Sequence, residues 1–168
     1  MEPADLTSTR KGRIAEVGVM FVAIREGWDA YIPAGDGSKV DMVLIDPQGT
    51  AMRTQVKWGN LHPSEGVIKT RLSTSRLTTT RGHVRTTYDE STIDAVAIWC
   101  DPLASAYVLP ITEVSGMSTV QLRIRPTANS QALRVRYAST YLLGAVAQLG
   151  ERSAGSRKVR GSSPLSST

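Results

Sequence analysis

Cysteine and histidine are scarce in this sequence. It has one cysteine, Cys100, and two histidines, His62 and His83, among 168 residues. One cysteine excludes an internal disulfide framework, and the three residues together fall short of the four ligands of a structural zinc site. Composition alone would allow a Cys–His nucleophile pair. Because Cys100 ends the apolar run "DAVAIWC", we expect a small buried residue instead.

Long apolar runs are also missing. No stretch is long enough to cross a bilayer, and the polar N-terminal ten residues lack the apolar core of an export signal. We therefore expect no membrane association, no export and a cytoplasmic location. The length favours one domain.

Charges of one sign are scarce in one part of the chain and missing from another. From Arg53 to Arg85 there are seven basic residues and one acid, whereas Asp89 to Glu113 has five acids and no lysine or arginine. The net charge is +5. A polyanionic partner would suit the basic segment. Two solvated surfaces of opposite sign are the alternative interpretation.

Periodicity predicts a helix from Thr9 to Glu26, capped by Ser8 or Thr9 and ended by Gly27. Four apolar residues on this helix are expected to face the core: Ile14, Val17, Phe21 and Ile24. Strands are predicted at 29–33, 67–72, 94–100, 106–109 and 118–125, and a second helix at 128–143. With the hairpin described next, this order predicts an α+β domain with a central mixed sheet flanked by helices.

A hairpin is predicted from Lys39 to Asn60. The sequence Pro47-Gln48-Gly49 suits a three-residue turn that pairs Asp46 with Thr50. Counting back places Asp41 opposite Gln55, and strand alternation puts Asp41, Gln55 and Lys57 on one face. Strands lie about 4.8 Å apart and alternate residues roughly 6.6 Å apart, so the three polar groups could form one cluster.

This cluster combines a carboxylate, an amide and an ammonium. Asp41 is a hard oxygen donor suited to Mg²⁺ or Mn²⁺, and the amide oxygen of Gln55 could be a second, neutral ligand. Lys57 could hold a phosphate oxygen, orient a water or stabilise charge in a transition state. The alternative is an exposed polar face on which Lys57 and Asp41 form a weak surface pair. The cluster alone does not decide between the two.

Longer segments carry a family resemblance. The segments "KGRIAEVGV", "GWDAYIPAGDGSKVDMVLID" and "TQVKW" resemble the PD-(D/E)XK nuclease superfamily, and within it the branch that includes group I intron homing endonucleases. The resemblance continues in "STIDAVAIWCDPLASAYVLPITEV" and "LRIRPTANSQALRVRYASTYLL", and so covers roughly residues 11–143. It implies a restriction-endonuclease-like α/β-type core.

The resemblance also implies site residues. Glu16 matches the acid of the first helix, Asp41 the metal-binding aspartate and Lys57 the motif lysine. Gln55 stands where most members have Asp or Glu, as in the Q-x-K form of the intron branch, and the carbonyl of Val56 is a further implied ligand. The missing charge should weaken cation binding unless Glu16 and the scissile phosphate supply the difference.

The implied activity is Mg²⁺-dependent hydrolysis of DNA phosphodiester bonds, in which Mn²⁺ can replace Mg²⁺. The resemblance also implies that the enzyme is site-specific and encoded by a mobile element or an intron. Two alternatives are a Holliday-junction resolvase-like nuclease and a non-cleaving DNA-binding module in which Gln55 marks a decayed site. Cutting both strands requires two active sites and one chain offers one, so we expect a homodimer or a higher symmetric homo-oligomer.

Basic side chains would bind double-stranded DNA through its backbone. For each of them, a solvated surface role is the alternative. The candidates are Lys69, Arg71, Arg76, Arg81, Arg85, Arg123, Arg125, Arg134 and Arg136.

The C-terminal segment differs from the rest. Its sequence, "VAQLGERSAGSRKVRGSSPLSST", resembles the translation of a tRNA gene rather than the nuclease family. Its composition cannot bury enough apolar surface to order itself. We therefore divide the chain into a nuclease domain at 1–143 and a disordered Ser/Arg-rich tail at 144–168.

Overall fold

The computed structural model describes residues 6–35, 38–78, 82–126 and 135–144, with side chains omitted from 74–86. Within these ranges the elements, in chain order, are α1 (Ser8–Arg25), β1 (Asp29–Tyr31), β2 (Met42–Ile45), β3 (Ala51–His62), β4 (Val67–Arg71), β5 (Thr74–Thr78), β6 (Gly82–Thr86), β7 (Ala95–Cys100), β8 (Ser105–Pro110), α2 (Ile111–Val114), β9 (Thr119–Arg123) and α3 (Ala138–Tyr141). None of the helices described in these ranges is long and apolar enough to cross a membrane. The proposed tail, apart from Gly144, lies outside the described residues.

The sheet is organised around β3, which is 12 residues long and pairs with three other strands. Its first residues pair antiparallel with β2, its middle pairs parallel with β7, and its last residues pair antiparallel with β4. β1 extends the sheet beyond β2, β8 beyond β7 and β9 beyond β4. The result is a mixed seven-stranded sheet, and β5 pairs with β6 in a separate hairpin.

The predicted register of the β2–β3 hairpin is confirmed. Met42 lies opposite Thr54 and Leu44 opposite Met52. The turn closes through a 3.0 Å hydrogen bond from the Asp46 N–H to the Thr50 carbonyl. Gly49 has φ +86°, the left-handed conformation that the turn requires of its glycine.

The core-facing side of α1 was predicted wrongly. Three of the four residues expected to face the core are exposed: Val17 by 65%, Phe21 by 60% and Ile24 by 59%. The buried face carries small residues, namely Ala15, Gly18, Val19, Val22 and Ala23. The helix packs so close to the sheet that a Cβ on Gly18 would lie 2.5 Å from the Trp99 ring, so small side chains occupy the contact. The N-cap is Thr7 rather than Ser8 or Thr9, and Gly27 follows the helix at φ +80°.

Two apolar clusters fill the two sides of the sheet. The first core, between α1 and the sheet, contains Ala15, Val19, Val22, Ala23, Trp28, Met42, Leu44, Val56, Ala95, Ala97, Trp99, Ala106, Val108 and Leu143. The second core contains Ile68, Leu72, Tyr88, Ile93, Val96, Ile98, Cys100, Tyr107, Leu109, Ile111, Val114, Val120, Leu122 and Ala138. β7 contributes to both and is buried along its whole length.

The predicted helix at 128–143 is confirmed only in part among its described residues. Residues 135–137 are not helical, and α3 covers only Ala138–Tyr141. Tyr137 is 38% exposed and its backbone bridges to Arg123 of β9. Pairing with a sheet edge satisfies backbone groups that a helix would satisfy internally.

Gly18→Ala should destabilise the protein, because the added methyl must displace the ring of Trp99. Overpacking costs about 1–3 kcal/mol, and the gain in helix propensity offsets about 1 kcal/mol of that, so a net loss of up to about 2 kcal/mol is expected in urea unfolding. Gly12→Ala is the matched control, since nothing lies within 4 Å of its added Cβ. It should stabilise α1 by about 0.5–1 kcal/mol. Equal effects of the two substitutions would contradict the close packing.

Candidate active site

Asp41 lies where β2 approaches β3, and two groups of β3 hold its carboxylate. The Val56 N–H donates to Asp41 Oδ2 at 2.7 Å, and the Gln55 side-chain Nε2 donates to the same oxygen. The Asp41 N–H donates in turn to the Thr54 carbonyl at 2.9 Å. The polar groups that alternation placed together, Asp41 and Gln55, are therefore in direct contact, and Gln55 is only 7% exposed.

Glu16 extends from α1 towards the same carboxylate. Burial raises the pKa of Asp41 above its ordinary value of 3.8, although the Val56 N–H and the charge of Lys57 act in the opposite direction. Burial also raises the pKa of Glu16, and the negative charge of Asp41 raises it further. Because the charge of Asp41 disfavours ionisation of Glu16, a bound cation would stabilise the charged forms of both acids.

Lys57 lies on the second-core face of β3, paired in register with Ile98 of β7. Its Nζ is 5.0 Å from the ring centroid of Tyr88. Its charge lowers the pKa of both Asp41 and Glu16, so it lies close to both acids. No ion pair forms with its ammonium among the residues that the structure describes.

The donor set is made of oxygen atoms. The carboxylates of Asp41 and Glu16, the amide oxygen of Gln55 and the carbonyl oxygen of Val56 are the kind of ligand that Mg²⁺ and Mn²⁺ prefer. Within the described ranges, no three or more His, Cys, Asp and Glu side chains are grouped closely enough to hold a metal ion by themselves. Two carboxylates, neutral oxygens, water and a substrate phosphate would therefore have to share the coordination of a cation.

Of the cysteine and histidine candidates, Cys100 and His62 have described side chains, and no contact joins these two. Cys100 is fully buried in the second core, and burial raises the pKa of its thiol. A buried thiol with a raised pKa is a poor nucleophile. His62 faces Glu65, with its Nδ1 3.7 Å from the carboxylate.

The basic residues predicted to bind DNA are only partly described. Lys69, Arg71 and Arg123 share one face of β4 and β9 by register and alternation. That face is opposite the second core, where Lys57 lies. Lys69 is paired with Glu65 at 2.7 Å, whereas Arg71 is exposed.

For the remaining basic candidates, the structure describes the side chain of some residues and not of others. The side chain of Arg125 packs near Gly66. Arg136 donates from Nη2 to the Glu113 carbonyl at 2.8 Å, a structural contact. Arg76 and Arg85 lie in β5 and β6 with side chains not described, and Arg81 and Arg134 lie outside the described residues.

Arg53 was assigned to the basic segment, but it has a structural role that the sequence did not indicate. Its guanidinium binds the Asp94 carboxylate through Nε at 3.0 Å and Nη2 at 2.8 Å, and it donates to the carbonyls of Ser91 and Glu90 at 3.1 Å each. Its backbone N–H also donates to Asp94 at 2.8 Å. Arg53 therefore clamps the segment before β7 onto β3. In the sequence, the only indication that Arg53 pairs with Asp94 is that the first lies in the basic segment 53–85 and the second in the acidic segment 89–113.

Comparisons with known proteins bear on the family and the fold of the chain. A family model described as PD-(D/E)XK endonuclease matches residues 6–144. A search of curated proteins finds no match. Three chains of known structure match. One is a bacterial homing endonuclease, I-Ssp6803I, which is 21% identical with a TM-score of 0.66 over 92% of this chain and 100% of that chain. This similarity confirms the α+β fold expected from the sequence.

Asp41→Asn should stabilise the metal-free protein at neutral pH. A carboxyl whose pKa is raised on folding contributes stability below its unfolded pKa, and that contribution is lost as pH rises through the folded pKa. Asparagine can still accept from the Val56 N–H and carries no charge. The advantage of the variant should therefore shrink as pH falls towards 4, measured by urea unfolding at several pH values. An advantage that does not change with pH would contradict the raised pKa of Asp41.

Proposed function

The chain belongs to the PD-(D/E)XK endonuclease family, and we propose that it is a Mg²⁺-dependent DNA endonuclease that cuts at a specific site and is encoded by a mobile element or an intron. Membership of the family makes it a nuclease. The metal, the DNA site and the genetic origin are the proposed part.

One observation carries the proposal more than any other. The carboxylate of Asp41 is fixed by β3, Glu16 lies close enough for the two acids to repel each other, and the Lys57 ammonium lies beside them. The charges of Lys57 and Arg13 act on this pair of acids, but among the described residues no ion pair joins either base to Asp41 or Glu16. Both carboxylates therefore remain available to a divalent cation.

Each group has a proposed task. Asp41, Glu16, Gln55 and the carbonyl of Val56 would hold the cation, which when bound polarises the phosphate and lowers the pKa of a water. The hydrogen bonds from Val56 and Gln55 orient the Asp41 carboxylate, and the Val56 N–H favours its ionised form. Lys57 would orient the attacking water or stabilise the negative charge that develops on the phosphate.

The replacement of an acid by Gln55 favours a second candidate function. A site with one charge fewer holds a cation more weakly, so a DNA-binding protein without cleavage is the alternative. A Holliday-junction resolvase-like activity is a further outcome of the same assay, recognised by cleavage of branched junctions in preference to linear duplex.

We propose that the protein acts as a homodimer or a higher symmetric oligomer, since a double-strand cut requires two sites. Light scattering of the purified protein tests this. A mass equal to one 18.1 kDa chain, with and without DNA, would contradict it. The DNA substrate also suits the proposed cytoplasmic location.

We retain the division at residues 143/144 as a proposal. It is supported by Leu143, which is fully buried in the first core, and by the family match, which ends at residue 144. A chain truncated after Gly150 should keep its activity, and loss of cleavage on truncation would contradict a dispensable tail.

Asp41→Ala and Lys57→Ala should each abolish Mg²⁺-dependent cleavage while DNA is still retarded in a gel. The first removes the cation's proposed main ligand and the second the proposed charge stabiliser. The substrate should be a DNA pool that includes the neighbouring genomic locus, with cut ends mapped by sequencing. Glu90→Ala, which removes an exposed acid whose side chain has no assigned role, is the control and should cleave normally. Unchanged cleavage by either site variant would refute the assignment.

Arg71→Ala and Arg123→Ala should weaken DNA binding similarly for all sequences. Loss of one phosphate contact reduces the slope of log K against log[salt] by about 0.9, which fluorescence anisotropy at several salt concentrations measures. Arg25→Ala is the charge-matched control, because Arg25 is paired with Glu26 at 3.2 Å on α1. If all three variants have the wild-type slope, this face does not bind DNA.

A further inference from the structure

The ring of Tyr88 lies beside the Lys57 ammonium. Nζ lies 5.0 Å from the ring centroid, within the range of a cation–π contact. Tyr88 is 7% exposed and belongs to the second core, so its ring cannot move aside freely. A buried, fixed ring thus borders the one basic side chain assigned to the site.

The segment that carries Tyr88 is fastened to the strand that carries Lys57. Arg53 of β3 donates to the carbonyls of Ser91 and Glu90 and binds the carboxylate of Asp94. The Asp89 carboxylate accepts from the Ser91 N–H at 3.1 Å, which closes the turn beside Tyr88. The Gly116 N–H donates to the Tyr88 carbonyl at 3.3 Å. These contacts hold the segment that carries Tyr88 against β3 and against Gly116.

A lysine side chain does not by itself hold its ammonium group in one position. Its ammonium is a compact charge on a flexible four-carbon chain, and among the described residues no carboxylate holds it. An aromatic face attracts an ammonium without neutralising it or occupying its N–H donors. Such a contact leaves the charge available for a phosphate, whereas an ion pair would not.

We propose that Tyr88 is a positioning residue that places the Lys57 ammonium for phosphodiester hydrolysis. This inference rests on the proposed function of the site. It goes beyond it by assigning a role to a residue outside the motif.

The test compares Tyr88→Leu with Tyr88→Phe. The leucine variant removes the aromatic face, and we expect its single-turnover cleavage rate to fall about 10-fold or more, because displacement of a catalytic group carries a penalty of this order. Its Kd for DNA, measured without Mg²⁺, should stay within about twofold. The phenylalanine variant keeps the ring face and should cleave within about threefold of wild type. Tyr88→Met, which fills the space with a flexible chain, serves if the leucine variant does not fold.

Tyr107→Leu is the matched structural control. Tyr107 is 5% exposed in the same second core and is not assigned to the site. It should lower the melting temperature and leave the cleavage rate at low temperature unchanged. If both leucine variants lower the rate equally, Tyr88 acts only through stability and the proposal is wrong.

A second readout needs no cleavage. In protein labelled at lysine, the ε-proton signals of Lys57 should lie upfield because of the Tyr88 ring, and Tyr88→Leu should move them to the free-lysine position. An unshifted Lys57 in wild type would refute the contact. A wild-type protein that shows the shift but cleaves nothing would refute the proposed function and leave the contact standing. Wild-type cleavage that depends on Lys57 but not on Tyr88 would overturn the positioning role alone.

Discussion

A carboxylate withdrawn from water at the junction of β2 and β3 is the constraint on which the rest depends. Removing an ionised carboxyl from water is unfavourable unless hydrogen bonds or a cation replace the solvent. The backbone N–H of Val56 and the amide of Gln55 replace part of it. They do not restore the ordinary pKa of Asp41. The protein thus keeps an acid whose charged form is better stabilised by a bound ion than by the fold, as expected of functional sites.

The architecture around this acid is built for close approach. Gly18 lets α1 lie directly on the ring of Trp99, and Gly59 lets β3 lie against Ile68 and Ile98, whose methyl groups would be 2.7 and 2.8 Å from an added Cβ. A helix held this near brings Glu16 to the acid on the sheet. The clamp of Arg53 fixes the following segment to the same strand. Three separate parts of the chain therefore meet β3 at defined positions, which a catalytic constellation requires.

The sequence allowed the hairpin and most of the site to be predicted, because both depend on local rules. A Pro-x-Gly turn sets the register, and the period of two then assigns Asp41, Gln55 and Lys57 to one face. Glu16 came from the family resemblance and not from periodicity. The face of α1 could not be read correctly, since large apolar residues were assumed to point inward, whereas close packing selects small ones and leaves Phe21 exposed. The hairpin of β5 and β6 was not predicted, because its Thr- and Arg-rich strands lack the alternation of apolar and polar residues that indicates a strand. The contacts of Arg53 with Asp94 and of Lys57 with Tyr88 join distant positions, and no spacing rule connects them.

Titration of the ¹⁵N-labelled protein with Mn²⁺ tests the central claim most directly, because a paramagnetic ion broadens the amide signals nearest to it. The account predicts that the signals of Asp41 and of Gln55 to Lys57 broaden first, that Mg²⁺ competes, and that Asp41→Asn abolishes the effect. Broadening centred elsewhere, or unaltered in the Asp41→Asn protein, would contradict a cation site built on this carboxylate.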